Sequence, residues 1–228
     1  MKKIILLLLL TTLAFATQLS DFINTKKCDQ IIDKQLYKIC YSYKYKGALS
    51  GWVTLYSNKV NSKNIKKRER FYSEKNIPLK YRTKYKDYTG YGKKWNRGHF
   101  IVADADFDYS KKALKKAYTM ANIQPQSAKL NQKTWIKVER YGRQLAKKLG
   151  YIKSISIADY RNTNKKIGNG IVIPAGFWRI YYNNSADFEK CFYYKNELNI
   201  DYRHDKLKNH LVDCRSINLK DFTEQNAL

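Results

Sequence analysis

A long helical stretch near the middle of the chain, 130–149, sets what can be built around it. Its apolar residues Trp135, Val138, Leu145 and Leu149 fall on or near one face, and Gly150 follows as a C-terminal cap. A helix with one apolar face has to bury it against another element. The candidates are short strand-like runs on both sides, at 51–56, 100–105, 152–158, 170–173, 177–182 and 191–194. A second helix is expected over 111–121, where Leu114, Tyr118 and Ala121 sit at helical spacing, and 122–126 breaks it. A short amphipathic piece surrounds Ile31, Ile32, Leu36 and Ile39, and a last short helix is placed at 204–214. Residues 80–95, rich in Tyr and Lys with Gly90 and Gly92, read as a long loop. Helices and strands mix without regular alternation or internal repeat, which gives the class α+β.

Residues 1–16 carry the pattern of a signal peptide: basic Lys2 and Lys3, an apolar core over 4–10, and Ala14-Phe15-Ala16 at the cleavage site. The apolar run falls short of the ~20 residues that span a bilayer, so cleavage rather than anchoring is expected. No later stretch is expected to cross a membrane. The reading is one exported domain over 17–228, periplasmic or secreted. Lys and Arg number 45 against 19 Asp and Glu, a formal charge of +26. Such an excess points to a polyanionic partner, nucleic acid ahead of an anionic cell surface. Cys28, Cys40, Cys191 and Cys214 form no Cys-x-x-Cys pair, which excludes zinc-ribbon and thioredoxin-type spacing. In an exported chain they favour disulfides. Of three possible pairings, the sequence-local ones, Cys28 with Cys40 and Cys191 with Cys214, are preferred.

The chemistry concentrates in two places. Arg97-Gly98-His99 brings one of only three histidines beside an arginine suited to phosphate and a glycine that permits close backbone approach. A neutral imidazole is a natural base near neutral pH. At the head of the long helix stands Asn131, a candidate oxygen ligand for Mg²⁺, with Mn²⁺ as a substitute. Mg²⁺ tolerates few protein ligands when substrate phosphate completes its shell. The plain alternative for Asn131 is a helix N-cap. Glu139, eight residues on, is ~80° around and ~12 Å along an ideal helix, so it reaches the same ion only through water.

Asn96-Arg97-Gly98-His99 resembles the Asp-Arg-Gly-His motif of the DNA/RNA non-specific endonucleases, relatives of mitochondrial endonuclease G. Three further motifs of that family match in order: Asn122-Ile123-Gln124-Pro125-Gln126, the segment from Leu130-Asn131-Gln132 through Trp135 to Glu139, and Ile173-Pro174 with Trp178. The match covers a core of about 50–210. The resemblance implies the ββα-metal, or His-Me finger, nuclease fold, a mainly antiparallel mixed sheet with flanking helices and long loops. It implies His99 as general base, Asn131 as direct Mg²⁺ ligand, Glu139 acting through water, and Asn122 stabilising the site from the adjoining loop. It places Arg70 on the phosphate, with Arg68 only two residues away. One position departs: Asn96 stands where the family has Asp. If that missing charge normally raises the basicity of the histidine, Asn96 lowers it.

The expected activity is Mg²⁺-dependent hydrolysis of phosphodiester bonds in DNA and RNA, leaving 5′-phosphate ends. Nothing in the sequence indicates an inhibitor partner or sets the oligomeric state. The competing classes are a non-catalytic nucleic-acid-binding protein of the same fold and a cationic membrane-active protein. Asn96 favours the first of these, but simple binding has no need for His99, Asn122, Asn131 and Glu139 together.

Overall fold

The computed structural model of the chain describes residues 17–60, 62 and 64–217; the expected signal peptide lies outside them. In chain order the strands are β1 Gln30–Asp33, β2 Tyr37–Ser42, β3 Gly47–Tyr56, β4 Trp95–His99, β5 Ile123–Ser127, β6 Tyr151–Asp159, β7 Lys166–Ile167, β8 Ile171–Val172, β9 Gly176–Asn183, β10 Phe188–Lys195 and β11 Leu211–Val212. The helices are α1 Ser57–Val60, α2 Asp104–Phe107, α3 Lys111–Ala117 and α4 Trp135–Leu149. Seven strands form one sheet in the order β1-β2-β3-β6-β9-β10-β11, with every pairing antiparallel.

Side chains alternate across this sheet with the period of two that a strand imposes. In β9, Phe177 and Tyr181 join the main core, which also holds Trp135, Val138, Leu145 and Ala146 of α4. Trp178, Ile180 and Tyr182 point the other way, into a second cluster with Phe22, Ile23 and Ile217. Both faces of the sheet are therefore covered, one by α4 and the other by the two ends of the described chain. This explains why β9 is buried along its whole length. Each such side chain contributes ~1.5–3 kcal/mol when fully removed from water.

The unit that carries the site is the hairpin β4-β5 followed by the long helix. The register pairs His99 with Ile123, Arg97 with Pro125 and Trp95 with Ser127. Ser127 then accepts a hydrogen bond from the amide of Leu130 at 3.3 Å, a cap at the head of the helix. The turn Leu130–Thr134 is π-helical and runs into α4. Gly150 ends α4 with φ +83°, as expected of a C-cap.

Four sequence expectations need correction. The strand expected at 100–105 lies earlier, over Trp95–His99, and 100–103 is a buried loop. Its apolar residues Phe100, Ile101 and Val102 belong to the core, but their backbone groups are satisfied without a strand partner. Phe100 donates to the Asn122 carbonyl at 2.9 Å. Ile101 and Val102 donate to Asn122 Oδ1 at 2.9 and 3.4 Å. The Phe100 carbonyl accepts from Ser156 Oγ and Arg179, and the Ile101 carbonyl also accepts from Arg179. Residues 122–126, read as a break, mostly form β5. Residues 204–214 form a short 3₁₀ turn, Leu207–His210, and then β11, because Asp205 fixes the bend through Lys137 and His210. The helix expected over 111–121 stops at Ala117.

Both disulfides follow the preferred pairing, Cys28–Cys40 and Cys191–Cys214, with Cα separations of 5.1 and 5.3 Å. They fasten opposite flanks of the sheet, the first to β2 and the second to β10. The second bridge spans 23 residues of sequence. Replacing Cys191 and Cys214 by Ser is expected to cost about 3 kcal/mol in urea unfolding by loop-closure entropy. An unchanged midpoint would show that the β10 flank holds without it.

Candidate active site

His99 ends β4 with its side chain buried, 9% exposed. The ring lies against Phe71 at 5.7 Å and edge-on to Tyr118 at 5.2 Å. Burial pushes its pKa below the ordinary value; Asp104 opposes this, Arg68 adds to it, and Asp106 opposes it. The imidazole is thus held neutral at neutral pH, the form that accepts a proton. Its Nε2 lies 3.2 Å from Asp104 Oδ1, an approach not aligned as a hydrogen bond. Arg97, two residues back on the same strand, stacks over Tyr85 at 4.1 Å.

Asp104 is the residue that the sequence reading missed. The available signal was an alternating acidic run, Asp104, Asp106 and Asp108, in a basic chain. Asp104 Oδ2 accepts from Tyr118 Oη at 2.8 Å and from Arg68 Nε at 3.2 Å. The arginine brought to His99 is therefore Arg68. Arg70 is exposed and has no hydrogen bond or ion pair among the described residues.

Asn131 sits inside the π-helical turn, not at the helix start. Ser127 fills the capping role, so that alternative for Asn131 falls away. Its Nδ2 donates to Asn96 Oδ1 at 3.1 Å, and Gln132 Nε2 donates to the same oxygen at 2.8 Å. Asn96 Nδ2 donates to the Gly92 carbonyl at 2.8 Å. A carbonyl only accepts, so this last bond fixes which end of Asn96 faces Asn131. It thereby leaves Asn131 Oδ1 as the free atom. Alternation along β4 puts Asn96 and His99 on opposite faces. The residue that departs from the family pattern thus bonds to Asn131, on the face of β4 away from His99.

Between Asn96 and His99, Gly98 leaves room for a side chain of the paired strand β5. A Cβ there would lie 2.1 Å from Oε1 of the fully buried Gln126. Asn122 is also fully buried. Its Oδ1 and Nδ2 clamp the loop after His99, with Nδ2 donating to the carbonyls of Val102 and Ala117, both at 2.9 Å.

Glu139 is half-buried, and its carboxyl group makes no hydrogen bond or ion pair among the described residues. Burial pushes its pKa up to about 8, against Arg179 and Arg143 and with Asp106 and Asp104. Arg143 is itself paired with Asp106 at 2.9 Å. The π turn carries an i→i+5 bond pattern and so turns less per residue. It narrows the angle between Asn131 and Glu139 relative to an ideal helix. Among the described residues there is no cluster of three or more His, Cys, Asp or Glu able to hold a metal. An amide oxygen with one carboxylate nearby fits a hard, oxygen-seeking cation that keeps most of its water, and no thiolate- or imidazole-bound metal.

The sequence model of the family described as DNA/RNA non-specific endonuclease matches residues 17–224. The chain belongs to that family. It is 29% identical to human "Endonuclease G, mitochondrial" over 120 residues, 52% of this chain and 39% of that protein. It is 28% identical to human "Nuclease EXOG, mitochondrial" over 152 residues, 61% of this chain and 40% of that protein. The matched part spans about two fifths of either relative. In three dimensions it resembles a chain of the solved EndoG/EndoGI complex, with a TM-score of 0.69, 17% identity, and 85% and 89% of the two chains covered. The fold is thus the α+β nuclease fold that the four ordered motifs implied.

Two outcomes check this arrangement. Asn96→Asp is expected to leave the His99 titration unmoved, read by NMR on a chain with only three histidines. A shift would mean that residue 96 acts on the base after all. Glu139, raised from 4.5 to about 8, favours the folded state fully below pH 4.5 and loses that contribution as pH rises through 8. In cation-free buffer, the stability of Glu139→Gln relative to the parent should rise between those pH values; a constant difference would place the carboxyl in water.

Proposed function

We propose that this chain is an exported, divalent-metal-dependent endonuclease that hydrolyses phosphodiester bonds of DNA and RNA without regard to sequence, leaving 5′-phosphate and 3′-hydroxyl ends. The observation that carries the reading is the Asn96–Asn131 hydrogen bond. It joins the strand of the candidate base to the turn of the candidate cation ligand, in a member of the DNA/RNA non-specific endonuclease family.

In this mechanism His99, neutral through burial, takes a proton from water. The water oxygen bonds to phosphorus as the bond to the 3′ oxygen breaks on the opposite side, and the departing oxygen takes a proton from solvent water to become the 3′-hydroxyl. Arg68 is anchored through Nε while its side chain stays 72% exposed, so its terminal nitrogens remain for a phosphate oxygen. That role was expected of Arg70. Arg97, braced on Tyr85, adds a second guanidinium. Asn122 keeps the loop behind His99 from relaxing. Asn131 Oδ1 would hold a divalent cation, with Glu139 acting through water, and a cation bound there would supply charge neutralisation at the phosphate and the leaving oxygen.

Indifference to sequence follows from contacts confined to phosphate and sugar, which carry no base information. The formal charge of +26, all but the two charges of Lys2 and Lys3 lying beyond the expected signal peptide, supplies affinity for any nucleic acid and should make it steeply salt-dependent. Export is supported by the two disulfides, which suit an oxidising compartment. No helix among the described residues is long and apolar enough to cross a membrane.

Purified protein incubated with plasmid and with RNA is expected to degrade both with Mg²⁺ and neither with EDTA. His99→Ala should lower the rate ~10²–10⁴-fold and keep retention on DNA. The base works unprotonated, so activity is lost as pH falls through the His99 pKa, and the acid limb should have its midpoint below 6.5. Binding without metal-dependent degradation would establish a nucleic-acid-binding protein instead.

A further inference from the structure

Asp104 has a role beyond the mechanism above. Its two oxygens face different partners. Oδ2 is occupied by the Tyr118 hydroxyl and Arg68 Nε, at 2.8 and 3.2 Å. Oδ1 is buried and has no hydrogen-bond partner, and the same holds for Nε2 of His99. These two unpartnered atoms lie 3.2 Å apart. Bonds between catalytic groups are often misaligned before substrate arrives. The carboxylate is also set firmly. Asp104 opens α2 directly after the clamped loop, and the next turn is tied back through Ala103 N to Asp106 Oδ2 at 2.7 Å. The Tyr118 ring contacts His99 edge-on while its hydroxyl holds Asp104, so one side chain positions both members of the pair.

We propose that Asp104 is a positioning residue for His99: its Oδ1 accepts the Nε2 proton of the neutral imidazole, which fixes the tautomer and leaves Nδ1 as the atom that takes the proton from water. The inference rests on the reading of His99 as the base. A carboxylate on the far nitrogen orients the ring and stabilises the imidazolium formed during the step. The charged and titratable groups around the ring are Asp104 and Asp106 of α2, Arg68 from the preceding segment, and Tyr118 after α3. Arg68 both braces Asp104 and offsets part of its charge, so the pair is tuned rather than simply basic.

The test begins with the unmodified protein and needs no turnover. The ¹⁵N shifts of the His99 ring above its titration should show Nε2 protonated and Nδ1 free; the opposite tautomer overturns the proposal. Asp104→Asn should reduce kcat by up to ~10⁴-fold with KM unchanged. It should also move the acid limb and the His99 titration to lower pH, because the imidazolium loses its partner. Asp104→Glu, which keeps the carboxylate, should restore part of both. A loss of rate that follows lost thermal stability, with the acid limb unmoved, would assign Asp104 a structural role only. The base reading has its own control. If His99→Ala stays active, that reading fails whatever the tautomer; if His99→Ala is inactive and Asp104→Asn keeps the parent kcat and acid limb, only the present inference fails.

Discussion

The structure depends on how four residues of backbone, 100–103, are buried without becoming a strand. Their apolar side chains supply the drive, but burial of unpaired amides and carbonyls costs ~1–3 kcal/mol per group. Asn122 and Arg179 remove that cost from opposite sides. Asn122 works from the turn before β5, and Arg179 from β9 in the middle of the large sheet. His99 is the residue immediately before this segment. Its ring position is therefore set by the sheet core, although its own strand belongs to a separate two-stranded unit. The guanidinium of Arg179 also lies 4.8 Å from the Trp135 ring, so the same side chain touches the helix that carries Glu139.

Around that anchor the site separates into two electrical regions. On the His99 side, Asp104 and Arg68 oppose each other beside a ring that burial keeps neutral. On the helix side, Glu139 is left with more burial than countercharge. The two are joined by neutral amides: Gly92, Asn96 and Asn131 pass a donor–acceptor polarity along a line without moving a charge. An Asn at position 96 does this because it has both a donor for the Gly92 carbonyl and an acceptor for Asn131; a carboxylate would have only the second.

Much of this was legible in the sequence, for identifiable reasons. β6, β9, β10 and α4 bury apolar side chains at regular spacing, and their periods read directly. β5 did not read as a strand because Gln124, Gln126 and Ser127 are polar yet fully buried, spending their side chains on hydrogen bonds to distant backbone and neighbours. The run 100–105 read as a strand because periodicity registers burial and cannot see where backbone hydrogen bonds go. The motif order was enough to read the family, and His99, Asn122, Asn131 and Glu139 are the residues it singles out. Asp104 was not, since its meeting with His99 exists only once the loop between them has doubled back. That Arg68, two residues before Arg70, meets Asp104 was hidden for a similar reason, since the segment is irregular.

The sequence-local disulfides have a consequence for the order of assembly. Each closes a short stretch, 12 and 23 residues, at opposite flanks of a sheet whose centre, β3, β6 and β9, is gathered from distant parts of the chain. In a chain delivered N-terminus first, Cys28 and Cys40 can meet as soon as the first hairpin forms, long before their later counterparts emerge. Cross-pairing with Cys191 or Cys214 is disfavoured by timing as well as by distance. The slow, long-range step is then the closing of β6 onto β3 and of β9 onto β6, which brings Arg179 under the loop and completes the seat of His99.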